Sequence, residues 1–241
     1  MIALLKKEIL SYFSSQIGFL TIGFFLLLSS LFLFVFETDF NILTYGFADL
    51  SPFFLLVPWL FIFLIPAITM RSFTIEENLG TLEMLFTRPL SYRKIVAGKG
   101  LSVFFLVILA LLPTLLYVIC IGLLGETSFN LDMGTVIGSY IGVLLIALIY
   151  TSVGVFCSTL TGNQIVAFIS GALICLLLFY GFEGIATSVQ SQQLHQIGIK
   201  YHYDSMARGV IDTRDVVYFL SMAFLFFALS EISLTLKYRK K

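Results

Sequence analysis

Charge is what this sequence has least of: Asp, Glu, Lys and Arg make up 12% of its 241 residues, about half the ~25% typical of a soluble globular domain. With 59% of residues hydrophobic and a mean hydropathy of +1.02, a soluble fold is excluded. Fourteen basic residues balance fourteen acidic ones, so whole-molecule electrostatics point to neither nucleic acid nor an acidic partner. Cys120, Cys157 and Cys175 lie in apolar runs without C-x-x-C spacing or a nearby histidine; they are expected to be small buried hydrophobes. The two histidines, His195 and His202, stand near Asp204 at a spacing that matches no standard metal site, so no metal is expected.

Other absences exclude chemistries. No phosphate-binding loop of the Walker A type occurs. Its nearest approach, Gly98-Lys99, has Arg93 where the first glycine is needed and Gly100 where a serine or threonine is needed. ATP must therefore be hydrolysed by another chain. The apolar runs contain no ionisable group except Glu231, which disfavours an ion-coupled carrier, since carriers keep such groups near the midplane. Glu76-Glu77 lacks the following arginine that paired glutamates of membrane-embedded prenyl-protein proteases require, and no run holds a histidine to act as base. An enzyme is not expected. No A-x-A site follows the first apolar run, so it is expected to span rather than to be cleaved.

What is present is six stretches of roughly 20 apolar residues, at about 16–36, 52–70, 101–124, 134–157, 164–182 and 216–236. In lipid each must be a helix, because the backbone has no water to pair with and the alternation of a barrel strand is missing. The expected fold is an all-α polytopic membrane bundle of one domain, residues 1–241. Placing the amino terminus inside puts eleven of the fourteen basic residues in the cytoplasm, leaving only Lys200, Arg208 and Arg214 outside. Both termini are then cytoplasmic. Residues 1–15, with Ile2, Leu5, Ile9 and Phe13 on one face and Lys6, Lys7, Ser11 and Ser14 on others, predict an interfacial amphipathic helix; a simple extension of span one is the alternative.

The segment 71–99 holds a charged, helix-patterned stretch. Thr74-Ile75-Glu76-Glu77 has the form of a capping box, and Ile75, Leu79, Leu82 and Phe86 recur along one face, with Glu76, Gly80 and Glu83 along another. Gly80 is expected at a bend or close approach, Arg88 near the helix end and Pro89 at its stop; Arg93, Lys94 and Lys99 are expected to anchor the headgroup boundary. Such an element is either a docking helix for a soluble partner or a plain connection.

The run Glu76-x-x-x-Gly80-Thr81-Leu82-Glu83-x-Leu85, with Pro89 and Ile95-x-x-Gly98-Lys99, resembles the permeases of the ABC-2 type transporter family. The resemblance implies a cytosolic coupling helix that sits on a separate ABC ATPase, with Glu76, Glu77, Gly80, Thr81, Leu82 and Glu83 as coupling residues. It also implies ATP and Mg on that partner, none bound here, a second permease subunit as homo- or heterodimer, and a place in the bacterial inner membrane among its lipids. Residues 184–215 form the outer segment before the last span. Asp204 and Asp212 are expected as caps, with Asp215 in the first turn of span six and Arg208 and Arg214 capping or pairing with these acids. Tyr201–Ser221 is similar to the gliding-motility-associated (GldF-type) permease subunits of Bacteroidetes-type bacteria. A general exporter of drug, lipid or polysaccharide, and a non-transporting scaffold, share the spans. Pro58, Pro66 and Pro113 are moving or static kinks, and Gly138, Gly142, Ala147 and Gly154 allow tight packing within the chain or between two.

Overall fold

The computed structural model describes residues 2–42, 49–82, 91–124, 131–190 and 192–238, and all regular structure among them is helical. Six helical segments are long and apolar enough to cross a membrane: Ile17–Phe34, Ser51–Asn78, Tyr92–Leu124, Met133–Leu160, Gln164–Val189 and Thr213–Tyr238. They coincide with the six expected spans, extended at several ends by polar turns that hydropathy leaves out.

Helix α1 (Ile2–Ser14) turns into α2 (Ile17–Phe34) at Gln16, whose φ of +60° breaks the ladder. Helix α1 is therefore a separate element from α2. Helix α3 (Ser51–Thr69) passes through Met70 into α4 (Arg71–Asn78), with Pro58 and Pro66 inside α3. Helix α5 (Tyr92–Leu111) is joined by a 3-10 turn at Leu112–Thr114, which holds Pro113, to α6 (Leu115–Leu124). Next come α7 (Met133–Leu160), then α8 (Gln164–Leu176), a π-helical turn at Leu177–Gly181 and α9 (Phe182–Val189). The short helices α10 (Gln192–Ile197) and α11 (Ile199–Ala207) precede α12 (Thr213–Tyr238).

The bundle is organised around α7, whose most apolar window is 72% buried against 17–22% for the first, fifth and sixth spans. It packs against α3, α5, α8, α11 and α12. Small residues permit this. A Cβ on Gly138 would strike the Met206 carbonyl, and one on Gly142 would lie 2.9 Å from the Tyr203 ring, so α11 closes directly on the α7 backbone. Gly154 does the same for Thr69. The glycines of span four thus serve contacts within one chain. Asp132 starts α7, accepting from the amides of Gly134 and Thr135 at 3.0 and 3.4 Å and from the Thr135 hydroxyl at 2.7 Å. Those hydrogen bonds, the Thr135 hydroxyl first, hold its carboxyl below the usual range.

The two ends of the bundle differ in charge. Lys6, Lys7, Arg71, Arg93, Lys94, Lys99 and Lys237 gather at one, called the basic end, with the amino terminus and the end of α12. Asp49, Asp132, Glu183, Asp204, Asp212 and Asp215 gather at the other, the acidic end.

Candidate functional site

The charged segment does not begin a new helix at Thr74. Thr74 lies inside α4, its hydroxyl donates to the Met70 carbonyl, and α4 runs on from span two, so the capping-box expectation is corrected. The reason is continuity: an amide whose ladder partner already exists four residues back has no use for a side-chain cap. The helix instead ends here. Gly80 has a φ of +68°, the Thr81 amide donates to the Glu76 carbonyl at 3.0 Å, and the Gly80 amide donates to the Glu77 carbonyl at 3.1 Å. This is the double bond of a Schellman stop, with glycine in the left-handed position that it alone fills without strain.

That stop splits the expected apolar face. Leu82 is 2% exposed, in a small cluster with Leu4, Phe73, Ile95 and Leu234, whereas Leu79 is 70% exposed at the tip. Asn78, Gly80 and Thr81 are exposed beside it, and Asn78 donates to the Gly162 carbonyl at 3.0 Å. Glu83, Leu85, Phe86, Arg88 and Pro89 lie outside the described residues.

Behind the tip is a web of ion pairs. Lys99 Nζ lies 3.0 Å from Glu76 Oε2 and 3.2 Å from Glu8 Oε1, and 5.2 Å above the Phe73 ring. Its side chain is only 3% exposed. The expectation that Lys99 anchors headgroups is therefore corrected: two carboxylates and an aromatic face hold it inside. Lys7 approaches Glu76 at 3.9 Å, Lys237 meets Glu77 at 2.5 Å, and Arg93 reaches Glu231 at 2.8 Å. Helices α1, α4, α5 and α12 are thus tied at one level. The Phe73 amide donates to Ser158 Oγ at 2.9 Å, adding α7.

At the acidic end, Lys200 pairs with Glu183 at 2.6 Å, and His202 Nδ1 meets Asp215 Oδ1 at 2.7 Å with its ring stacked on Tyr218 at 3.9 Å. Tyr203 donates to the Phe54 carbonyl at 2.7 Å and Tyr218 to the Ile197 carbonyl at 2.6 Å. Asp212 starts α12 as expected, accepting from the Arg214 amide at 2.9 Å. Asp204 is no cap: it lies inside α11, and burial lifts its carboxyl above the usual range against the pull of Lys200. Arg208 and Arg214 are exposed and, among the described residues, form no ion pair; Asp215 has taken His202 instead.

Residues 2–238 match the family model described as ABC-2 family transporter protein. The chain belongs to that family. No match to a curated protein was found. As an ABC-2 permease it is the multi-pass membrane component of a transporter, without ATPase activity and without a cofactor of its own; permeases of this kind work with ABC ATPase subunits, which bind the ATP.

Among the described residues no three metal-ligating side chains cluster. What the web offers is stiffness, because breaking a buried ion pair from one side costs about 3–5 kcal/mol. Sequence reasoning missed Glu8 and Lys237 and misplaced Lys99. One signal was available: Lys99 stands between Gly98 and Gly100, where a Cβ would crowd Leu4 and Phe227 respectively. A lysine between two glycines at a span entrance is a lysine to which helices can come close on both sides.

Proposed function

We propose that the basic end faces the cytoplasm and that the tip Asn78–Thr81, with Glu83 beyond it, is where a separate ABC ATPase docks, Leu82 anchoring the tip from inside. The observation that carries this reading is the contrast at the tip. Leu79 is 70% exposed, while Glu76 and Glu77 immediately behind it are held in ion pairs with Lys99 and Lys237. A load on the tip would pass through those pairs to α1, α5 and α12 together. In this reading Glu76 and Glu77 transmit and Leu79, Gly80 and Thr81 make contact. The positive-inside pattern of the basic residues supports the orientation, with both termini cytoplasmic in a bacterial inner membrane. Six spans are half of the membrane unit that the family resemblance implies, so a second permease subunit completes it. The exposed Arg208 and Arg214 are the residues through which the outer segment would meet partners, with Asp212 capping α12 beside Arg214 and Asp215 held inside by His202. The likeness of Tyr201–Ser221 to gliding-associated permeases supports a role in surface gliding.

The test is extraction of the tagged protein from its native membrane in mild detergent, with bound chains identified by mass spectrometry. An ABC ATPase and a second permease are expected, and Leu79→Asp should deplete the ATPase while leaving the permease. Recovery of the chain with no nucleotide-binding partner under several mild conditions would overturn the reading. A deletion strain that glides normally but loses export of a drug, lipid or polysaccharide would replace gliding with general export.

A further inference from the structure

The outer segment meets span six around one histidine. Between α11 and α12 the chain reverses at Gly209, whose φ of +82° is in the left-handed region, and the reversal brings His202 back against the first turn of α12. There His202 Nδ1 lies 2.7 Å from Asp215 Oδ1, with the two side chains only 14% and 8% exposed. The imidazole stacks on the Tyr218 ring at 3.9 Å, and the Tyr218 hydroxyl donates to the Ile197 carbonyl at the end of α10. One side-chain pair thus closes the seam between α10, α11 and α12.

The setting of the carboxylate makes that pair sensitive to a proton. Asp215 Oδ2 is buried and, among the described residues, has no hydrogen-bond partner. Arg208 and Arg214 are exposed and pair with no carboxylate among the described residues, so neither substitutes for His202. Asp215 stands in the first turn of α12, where the helix dipole favours its ionised form. With His202 protonated, the contact joins two opposite charges. With His202 neutral, a hydrogen bond about half as strong is left, and a buried carboxylate has lost its counter-charge. Histidine is the side chain that makes this change between about pH 5 and 8.

The neighbouring groups do not oppose the effect. His195 on α10 stands edge-on to Tyr201, which stands edge-on to His202. Lys200 is taken by Glu183, and α7 meets α11 through Gly138 and Gly142, which carry nothing that titrates. Asp204 acts in the same direction: burial lifts its carboxyl, so its proton too is held better in the closed segment.

We propose that the His202–Asp215 pair is a proton-operated latch, which clasps α10 and α11 to span six while His202 carries its proton and lets the seam part when the proton leaves. The packing of α11 on the α7 glycines is untouched by the change, so the segment opens on its α12 side and stays seated on the other. The latch holds whichever partner docks at the tip. With the acidic end outside, as proposed above, the pH that it answers to is that of the medium.

Hydrogen exchange of the intact permease complex in nanodiscs, corrected for the intrinsic effect of pH on exchange, tests the latch at about pH 5.5 and about pH 8. Opening of 192–207 and of the first turn of α12 is expected to rise about fivefold at the higher pH, the gap between a charge-assisted and a neutral hydrogen bond. His202→Asn and, separately, Asp215→Asn should abolish that step, with unchanged exchange in Met133–Leu160 showing that the bundle is intact. His195→Gln and Asp204→Asn should keep it. The chain has two histidines, so a complex in which only the permease is labelled and carries His195→Gln gives a single imidazole signal by NMR, and that signal should titrate together with the exchange step. Absence of a pH step in the unsubstituted protein, a step that survives His202→Asn or vanishes with Asp204→Asn, or an imidazole signal that does not move across the step would overturn the proposal.

Discussion

Both ends of the bundle are held by ion pairs, but those pairs have very different reach. At the basic end Lys99 joins Glu8 across 91 positions and Arg93 joins Glu231 across 138. At the acidic end Lys200 joins Glu183 across 17 and His202 joins Asp215 across 13. The basic pairs stitch helices from the start, middle and end of the chain into one unit. The acidic pairs mostly fold a local segment onto itself, and that segment is held to the bundle by packing of α11 on the α7 glycines and by the Tyr203 hydroxyl. A push at the basic end should therefore be felt globally, whereas the acidic end can loosen alone.

The sharpest way to break this comparison is Lys99→Met. It leaves Glu8 and Glu76 facing each other without their cation and should cost about 3–5 kcal/mol, read as a large drop in the detergent unfolding temperature of the whole bundle. Adding Glu8→Gln and Glu76→Gln should recover most of that loss, because neutral groups need no counter-charge; failure to recover would mean that packing around Phe73, not charge, holds the web. Next in size is Gly142→Val. Overpacking against Tyr203 should cost about 1–3 kcal/mol, but with hydrogen exchange rising chiefly in Ile199–Ala207. Exchange rising equally at the basic end would refute the claim that the acidic end loosens by itself.

Arg93→Ala should matter less. Its side chain is 82% exposed, and exposed pairs contribute under about 1 kcal/mol, so the unfolding temperature should barely move and high salt should erase the difference. Asp204→Asn should show the smallest effect, and only as a pH dependence. The Asp204 carboxyl is raised in the folded protein, so the stability linked to its protonated form is complete below its ordinary pKa of about 4 and is lost as pH rises through the raised one. The variant should stabilise the acidic end at pH 7 and lose that advantage below about pH 4, measured by exchange in α11.

Legibility in the sequence tracked how local each feature is. Asp212 could be read as the cap of span six because a cap is satisfied by amides two or three residues away. The stop at Gly80 is equally local, and the bend expected at that glycine is found there; that the helix ends at the bend was hidden by the apolar repeat through Leu79 and Leu82, since periodicity does not register a change of backbone direction. Asp215 was foreseen in its first-turn position but not its partner, because choosing His202 over Arg208 or Arg214 depends on how α11 lies across α12. Lys99 was read by its distance from the apolar run alone, and its burial comes from α1 folding back over Gly98.

By itself the sequence determined that this protein is a helical, six-span membrane bundle with a basic end and an acidic end. Hydrocarbon demands about 20 apolar residues and internally paired backbone from each segment separately, and each segment answers for itself. Only the tertiary structure decided which carboxylates neutralise Lys99, that the α7 glycines serve contacts within one chain, and that Leu79 points outward while Leu82 is buried. Those features depend on side chains brought together from distant parts of the chain, and a pairing of that kind is set by how helices pack, not by what any one of them contains.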